Sequence, residues 1–256
     1  MKKKESSETP RAVHTRWVRI CHWAVTLGFL FLVFSGIEIL MVHPRLYWGE
    51  VGNELTEPFL ELPISRNHRH GGWEAAEPFF EAAGSPVSAG RTFDQFMFNQ
   101  NGWGRSLHFL AAWVLVMGGL VYLLLGFYSG HFRRHIWPRR KELTRKEFWK
   151  EVRDHLRLKI PPPTGGPRYG LLQKGSYALV IFVALPLAVV TGLTMSPAVT
   201  AALPFLLDVL GGYQSARTIH FFASLALELF LFAHLFMLVV SGFKQQVSYM
   251  ILARKA

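Results

Sequence analysis

The sequence predicts an all-α integral membrane protein built as a bundle of four transmembrane helices. Half of its 256 residues are hydrophobic, including 21 Phe and 8 Trp, and they are concentrated in a few long stretches. Such a concentration is typical of membrane proteins. Four stretches are long enough to cross roughly 30 Å of hydrocarbon, and they run from about Ile20 to Met41, Leu107 to Tyr128, Ser176 to Met195 and Ile219 to Gly242. We therefore expect residues 1–256 to form a single membrane domain.

The charges between the spans predict the orientation of the chain. Residues 129–174 carry thirteen Lys or Arg and four acidic residues, whereas residues 42–105 carry five basic and eight acidic ones. By the positive-inside rule, 129–174 is a basic cytoplasmic loop, 42–105 is a long periplasmic loop, and both termini are cytoplasmic. The net charge of +11 then reflects topology and attraction to anionic membrane lipid rather than nucleic-acid binding. We expect a multi-pass protein of a bacterial inner membrane.

The first span also has the basic start and apolar run of a secretory signal. No small-residue cleavage motif follows it, and the run is long for a signal core, so we expect it to be retained. Cys21 is the only cysteine, which excludes an internal disulfide and an iron–sulfur cluster held by thiolates. A redox centre in this chain needs other ligands.

Histidines at two depths in the spans supply such ligands. His220 and His234 are fourteen residues apart, which at about 100° per residue leaves both on nearly one helix face, about 21 Å apart along the axis. Depth in the membrane pairs His22 with His234 on the cytoplasmic side and His108 with His220 on the periplasmic side. Imidazole is the commonest protein ligand for metals, and haem iron accepts one on each side of its plane. Each pair is thus predicted to hold a low-spin b haem suited to electron transfer.

Three of these histidines follow an arginine at a spacing of three residues, namely Arg19, Arg105 and Arg217. Positions i and i+3 share a helix face, so a guanidinium there can bind a haem propionate while the imidazole reaches iron. The alternative is that each arginine only ends a membrane helix and extends into the lipid headgroups. Three repeats of one spacing favour haem.

Polar residues within membrane spans can also have purely structural roles. An intramembrane histidine can join helices by hydrogen bonds or serve in a proton relay, but depth-matched partners on two other helices argue against this. We expect the remaining histidines to be ordinary surface residues: His14, His43, His68, His70, His131, His135 and His155. Glu38 is expected at the outer interface, and Glu228 to be protonated or paired. The predicted spans contain several glycines, among them Gly36, Gly118, Gly119 and Gly192. Helix packing and close approach of a porphyrin explain these four equally well.

The two long connections differ in their predicted structure. The outer one contains many prolines, glycines and aromatic residues, which indicates an ordered lid of loops with one or two short helices. The inner one contains a surface helix in the segment LTRKEFWKEVRDHLRLK, with Thr144 as its amino cap.

The motifs RICHW, RSLHF and GGYQSARTIHFF, with His234 after them, resemble those of the four-helix, di-haem cytochrome b membrane subunits. These subunits serve formate dehydrogenases, nickel–iron hydrogenases and thiosulfate reductase-like enzymes. The resemblance covers about His14 to Ile251. The segments HPRLYWGEVGN, QNGWGRSLHF, SGHFRR and MSPAVTAALP look most like the branch that accompanies periplasmic molybdopterin oxidoreductases.

The resemblance implies the same haem ligands that depth indicates, His22 with His234 and His108 with His220. It also implies that the polar entry to the third helix, Tyr169, Gln173 and Lys174, lies near haem propionates or a quinone. The long outer loop is a departure, because the shorter hydrogenase and formate dehydrogenase subunits lack it. Their docking surfaces are therefore poor templates for this chain.

The expected function is transmembrane electron transfer through two b haems, between a periplasmic redox subunit and the quinone pool. The chain would be an electron-transfer subunit of an oxidoreductase complex rather than a catalyst by itself. Two alternatives remain open: a stand-alone di-haem cytochrome b that oxidises quinol or superoxide, and a haem-free membrane anchor or transporter.

Overall fold

The computed structural model describes residues 14–53, 56–62, 64, 101–138, 143–157 and 170–251. Four of its helices are long and apolar enough to cross a membrane. They are α1 (Arg16–Val42), α2 (Asn101–Tyr128), α4 (Leu171–Thr194) and α7 (Tyr213–Val240). The prediction of a helical bundle with four candidate membrane spans is confirmed, and a pair of two-residue strands is the one departure from all-α structure among the described residues.

Each of these helices begins a turn or more before the predicted start of its span. The predicted starts mark the first apolar residues, but a helix continues into the headgroup region as long as its backbone hydrogen bonds do. Residues 101–105 are therefore helical rather than part of the outer loop, and residues 171–174 are helical rather than part of the inner loop.

The chain divides into two compact units, and each of the four spans contributes to both. The first unit comprises the described residues within 1–24, 118–182 and 229–256, and the second comprises those within 25–117 and 183–228. His22 and His234 belong to the first unit, whereas His108 and His220 belong to the second. Each predicted histidine pair thus falls within a single unit.

The first unit also contains short helices outside the spans. The predicted surface helix is α3 (Arg145–Leu156), and the Thr144 hydroxyl accepts the Glu147 N–H at 3.3 Å, as expected for its cap. The Glu151 carboxylate accepts the Leu172 N–H at 2.9 Å, which ties α3 to the start of α4. The last helix, α8 (Phe243–Ile251), follows Gly242, whose positive φ of 100° turns the chain.

The second unit contains a small sheet and two short helices. Strands β1 (Arg45–Leu46) and β2 (Leu60–Glu61) are antiparallel, and an ion pair of 2.8 Å joins Arg45 to Glu61. The sequence did not predict α5 (Pro197–Ala202) and α6 (Phe205–Leu210), which connect α4 to α7. The helices predicted for the outer lid would fall mainly within 65–100, outside the described residues, as do His68 and His70.

Gly212 fixes how the chain enters α7. Its φ is +105°, and a Cβ there would lie 2.6 Å from the carbonyl carbon of Gly49. The Gly49 carbonyl in turn accepts the N–H groups of Gln214 and Ser215, at 2.9 and 3.1 Å. The loop after β1 is therefore held directly against the first turn of α7, close in sequence to Arg217 and His220.

The helix α4 is not regular throughout. A π-helical turn at Val180–Ala184 separates two α-helical parts, and Pro186 follows it at the start of the second part. A proline inside a helix removes one backbone hydrogen bond and clashes with the preceding turn, so the wider turn accommodates it.

Candidate functional site

The predicted outer pair, His108 and His220, has the spacing of two ligands on opposite sides of one metal. Their ring centroids are 6.2 Å apart and the ring planes are inclined by 66°. A metal–imidazole bond of about 2.0–2.1 Å, with the nitrogen about 1.1 Å from its ring centre, gives roughly 6.3 Å for two opposite ligands. The pair therefore fits a metal held between its rings.

The hydrogen bonds of His220 define which ring nitrogen is free. Its Nδ1 lies 2.9 Å from the Ala188 carbonyl oxygen and 3.0 Å from the Thr191 hydroxyl. A carbonyl can only accept, so Nδ1 carries the proton and Nε2 keeps its lone pair. This is the arrangement that a metal-ligating histidine requires, because the hydrogen bond on the other nitrogen fixes tautomer and orientation.

His108 is held in the same tautomer by a serine of α1. Its Nδ1 lies 3.0 Å from the Ser35 hydroxyl, and that hydroxyl donates its own proton to the Phe31 carbonyl at 2.7 Å. The Ser35 oxygen is thus left to accept from His108 Nδ1–H, and the Nε2 lone pair of His108 is free. The sequence did not single out Ser35 and Thr191, because a hydroxyl in an apolar helix is typical of helix packing. It did not indicate Ala188 either, because that residue acts through its backbone carbonyl.

Two of the predicted glycines lie against these imidazoles. A Cβ on Gly192 would lie 3.3 Å from Cε1 of His220, which is tighter than an ordinary contact, and one on Gly36 would lie 3.8 Å from Cε1 of His108. The absence of a side chain on Gly192 therefore lets α4 approach His220 closely. In the first unit, a Cβ on Gly119 would meet nothing within 4 Å.

Basic residues gather beside the outer pair. Arg217 donates a hydrogen bond to the His43 carbonyl. Partial burial, and then the charges of Arg217, Arg105 and Arg45, lower the pKa of the His43 imidazole. The structure thus brings the predicted Arg105 and Arg217 into one basic cluster and adds His43 and Arg45. Such a cluster suits carboxylates, the groups that haem propionates present.

Glu38, which was expected at the outer interface, lies near the end of α1 and is buried. Its residue is only 2% exposed. Gly104 of α2 covers it, since a Cβ there would lie 2.9 Å from Cγ of Glu38. The absence of a side chain on Gly104 lets α2 approach α1 closely enough to bury the carboxylate.

The predicted inner pair, His22 and His234, lies within the first unit, and the two imidazoles are within electrostatic range of each other. The His234 ring is stacked on the Phe230 ring, with ring centroids 5.9 Å apart, and its centroid lies 6.5 Å from that of the Tyr177 ring. His22 packs against the Trp23 ring, and its buried Nδ1 has no hydrogen-bond partner among the described residues. Its surroundings do not define which of its ring nitrogens carries the proton.

The remaining predicted residues of the first unit have protein partners. Arg19 donates to the Ile251 carbonyl of α8 at 3.0 Å. Gln173 donates to the Tyr177 hydroxyl at 2.8 Å, and Lys174 is buried. Tyr177 therefore links Gln173 to the ring of His234. Tyr169 lies outside the described residues.

Three histidines that were expected at the surface form a half-buried group in the first unit. The rings of His131 and His135 are 4.9 Å apart, and His14 lies within electrostatic range of both. Burial, followed by the charges of His135, His14 and Arg134, lowers the pKa of His131 to about 4. Among the described residues, no three His, Cys, Asp or Glu side chains are arranged to hold a metal ion.

Comparison with known proteins supports the motif-based resemblance. The family model described as "Prokaryotic cytochrome b561" matches residues 13–252. The "Putative protein-methionine-sulfoxide reductase subunit YedZ1" of Azospira oryzae is 25% identical over 229 residues, covering 90% of this chain and 91% of that protein. No solved structure matches. Because the family model spans nearly the whole chain, this protein belongs to the prokaryotic cytochrome b561 family of membrane electron-transfer proteins that bind b-type haem.

Proposed function

We propose that this protein carries electrons across a bacterial inner membrane, between a periplasmic redox subunit and quinone, by way of two b haems. His108 and His220 would be the axial ligands on the periplasmic side, and His22 and His234 those on the cytoplasmic side. Bound b haem supplies reversible one-electron chemistry, and full axial coordination favours electron transfer over reaction with oxygen. The protein's part is to hold the ligands and tune their surroundings.

The observation that carries this proposal is the geometry of the outer pair. Two imidazoles 6.2 Å apart, each with Nδ1 beside a hydroxyl oxygen, present their Nε2 atoms as ligands. In a core histidine that serves only for packing, nothing requires a second imidazole at this distance in the matching tautomer. Two observations support the proposed inner site. His234 follows His220 by fourteen residues on α7, and His22 and His234 belong to the same compact unit.

The basic residues complete the proposed sites. Arg105 and Arg217 would bind the propionates of the periplasmic-side haem, since both lie in the cluster around His43. Arg19 would do so for the cytoplasmic-side haem. Its guanidinium already donates to the Ile251 carbonyl and has further donors to offer.

The quinone site is proposed at the start of α4, where Gln173 and Lys174 lie. The side chain of Lys174 is buried, and Gln173 is linked through Tyr177 to the ring of His234. Amide, ammonium and phenol groups can all donate hydrogen bonds to a quinone carbonyl. Quinone would then exchange on the cytoplasmic side if both termini are cytoplasmic, as the charge distribution predicts.

The periplasmic partner is proposed to be a molybdopterin oxidoreductase. The Azospira relative is described as a subunit of a protein-methionine-sulfoxide reductase, and this chain aligns with 91% of its length. We therefore propose a partner that reduces sulfoxides, with the long outer loop forming part of the contact.

Spectroscopy of the purified full-length protein tests the proposal. Reduced-minus-oxidised spectra should show b-type bands, and pyridine haemochrome quantitation should give two haems per chain. His220→Ala should lower that value to about one. A protein without a b-type band, or a His220→Ala variant with unchanged haem content, contradicts the proposal. Purification from native membranes under mild detergent should bring down a molybdopterin protein.

A further inference from the structure

The outer site is built from two halves that match in sequence and in contacts. The proposed ligands His108 on α2 and His220 on α7 belong to the motifs RSLHF and RTIHF. Three and seven residues after each histidine come an alanine and a leucine, and all four are buried: Ala111, Leu115, Ala223 and Leu227. On α1 and α4, a hydroxyl residue and a glycine contact the imidazole: Ser35–Gly36 for His108 and Thr191–Gly192 for His220.

The two hydroxyl groups make the same set of hydrogen bonds. Ser35 donates to the carbonyl four residues earlier, that of Phe31, at 2.7 Å, and Thr191 donates to that of Leu187, also at 2.7 Å. Each hydroxyl oxygen lies 3.0 Å from Nδ1 of its histidine. Both residues are fully buried. A hydroxyl whose single proton is already donated to its own helix can only accept from the imidazole.

We infer that Ser35 and Thr191 are positioning residues for the periplasmic-side haem, which hold His108 and His220 with Nε2 toward the iron and lower the midpoint potential of that haem. This inference rests on the proposed function. An acceptor on Nδ1–H makes the imidazole a more basic ligand. A more basic axial ligand stabilises ferric over ferrous iron, so the potential falls. Loss of the acceptor should therefore raise the potential.

Each imidazole also has a backbone partner besides its hydroxyl. The Ala188 carbonyl lies 2.9 Å from Nδ1 of His220, and the backbone of Leu32 is a hydrogen-bond partner of the His108 imidazole. We therefore expect Ser35→Ala and Thr191→Val to raise the potential by similar amounts.

Redox titration of the purified full-length protein, followed at the b-type absorbance band, tests the inference. The His220→Ala variant first identifies which midpoint belongs to the outer haem. Ser35→Ala and Thr191→Val should raise that midpoint, leave the other one unchanged and alter the low-spin EPR g values of the outer haem. Thr191→Ser should restore the wild-type midpoint. Thr194→Val is the matched control, because Thr194 is equally buried but donates only to the Val190 carbonyl of its own helix.

A second pair of variants keeps the test decisive if Ser35→Ala loses the haem. The side chains introduced by Ser35→Thr and Ser35→Val have nearly the same size, but only Ser35→Thr retains a hydroxyl group. Haem retained in Ser35→Thr and lost in Ser35→Val supports the inference, whereas equal haem loss in both overturns it. Unchanged midpoints in Ser35→Ala and Thr191→Val with full haem content also overturn it, although the proposed function would stand. Absence of haem from the wild-type protein would instead refute the proposed function.

Discussion

In the outer pair, His108 and His220 each have Nδ1 within 3.0 Å of a hydroxyl oxygen, whereas Nδ1 of His22 in the inner pair is buried with no partner among the described residues. The surroundings of the two proposed pairs of ligands thus differ. The outer imidazoles have a fixed tautomer before any metal binds. His22 instead packs against the ring of Trp23.

The two proposed sites also differ in the sequence around their histidines. The proposed outer ligands come from α2 and α7, which share the motif around the histidine. Fourteen residues after His220 the chain has His234, but fourteen residues after His108 it has Tyr122. The second unit therefore repeats one motif, while the first unit takes its other histidine, His22, from α1. The hydroxyl groups beside the outer imidazoles belong to neither copy of the motif, because Ser35 lies on α1 and Thr191 on α4.

Removal of one proposed axial histidine should have the largest effect on haem content, and it should distinguish the two proposed haem sites. His108→Ala should abolish the periplasmic-side haem and leave the other, because the inner ligands belong to a different compact unit. His22→Ala should do the reverse. Pyridine haemochrome quantitation should give about one haem per chain in each variant, and redox titration should show that a different midpoint is missing in each. Loss of the same midpoint in both variants would refute the assignment of the pairs.

Substitution of Gly192 and Gly36 should show how closely α4 and α1 approach the two outer histidines of the second unit. Gly192→Ala places a methyl group 3.3 Å from Cε1 of His220, so the ring or α4 must move. Overpacking of this kind costs about 1–3 kcal/mol, and we expect a lower melting temperature and weaker retention of the outer haem. Gly36→Ala is the matched control, since its methyl group makes an ordinary contact of 3.8 Å with His108. Equal effects of the two changes would contradict the contact geometry.

Much of this arrangement follows from the sequence, and the part that does not has a physical reason. Apolar length indicates four spans, and the spacing of His220 and His234 indicates two sites on one helix face. Ser35 and Thr191 were missed because which helix faces an imidazole is decided by tertiary packing. The burial of Glu38 was not foreseen for the same reason, since it depends on the approach of Gly104. Periodicity locates a residue on its own helix but not its neighbours on another.

The histidine group of the first unit should make the stability of the protein depend on pH. Burial and neighbouring charges lower the pKa of His131 from 6.5 to about 4 in the folded protein. The unfolded chain therefore binds more protons between these values, and stability present above pH 6.5 is lost as the pH falls toward 4. Thermal unfolding in detergent should show a melting temperature that falls over this range, and His131→Gln should reduce the slope. His155→Gln, on helix α3 and outside the histidine group, is the control, and an equal reduction in both variants would exclude a special role for His131.

The smallest expected effect concerns the cap of α3, which belongs to the first unit but contains none of the proposed ligands. The Thr144 hydroxyl accepts the Glu147 N–H at 3.3 Å, so Thr144→Ala leaves that donor to water. Loss of such a cap costs about 1 kcal/mol, and the cost should appear as faster hydrogen exchange in the first turn of α3. Thr144→Ser keeps an accepting oxygen and should exchange at nearly the wild-type rate. The midpoints of the two proposed haems should be unchanged in Thr144→Ala, because the hydrogen bond that ties α3 to the start of α4 joins Glu151 to Leu172 and does not involve the first turn of α3. A shifted inner midpoint would show instead that the cap supports the region of Gln173 and Lys174, and it would link this surface helix to the proposed quinone site.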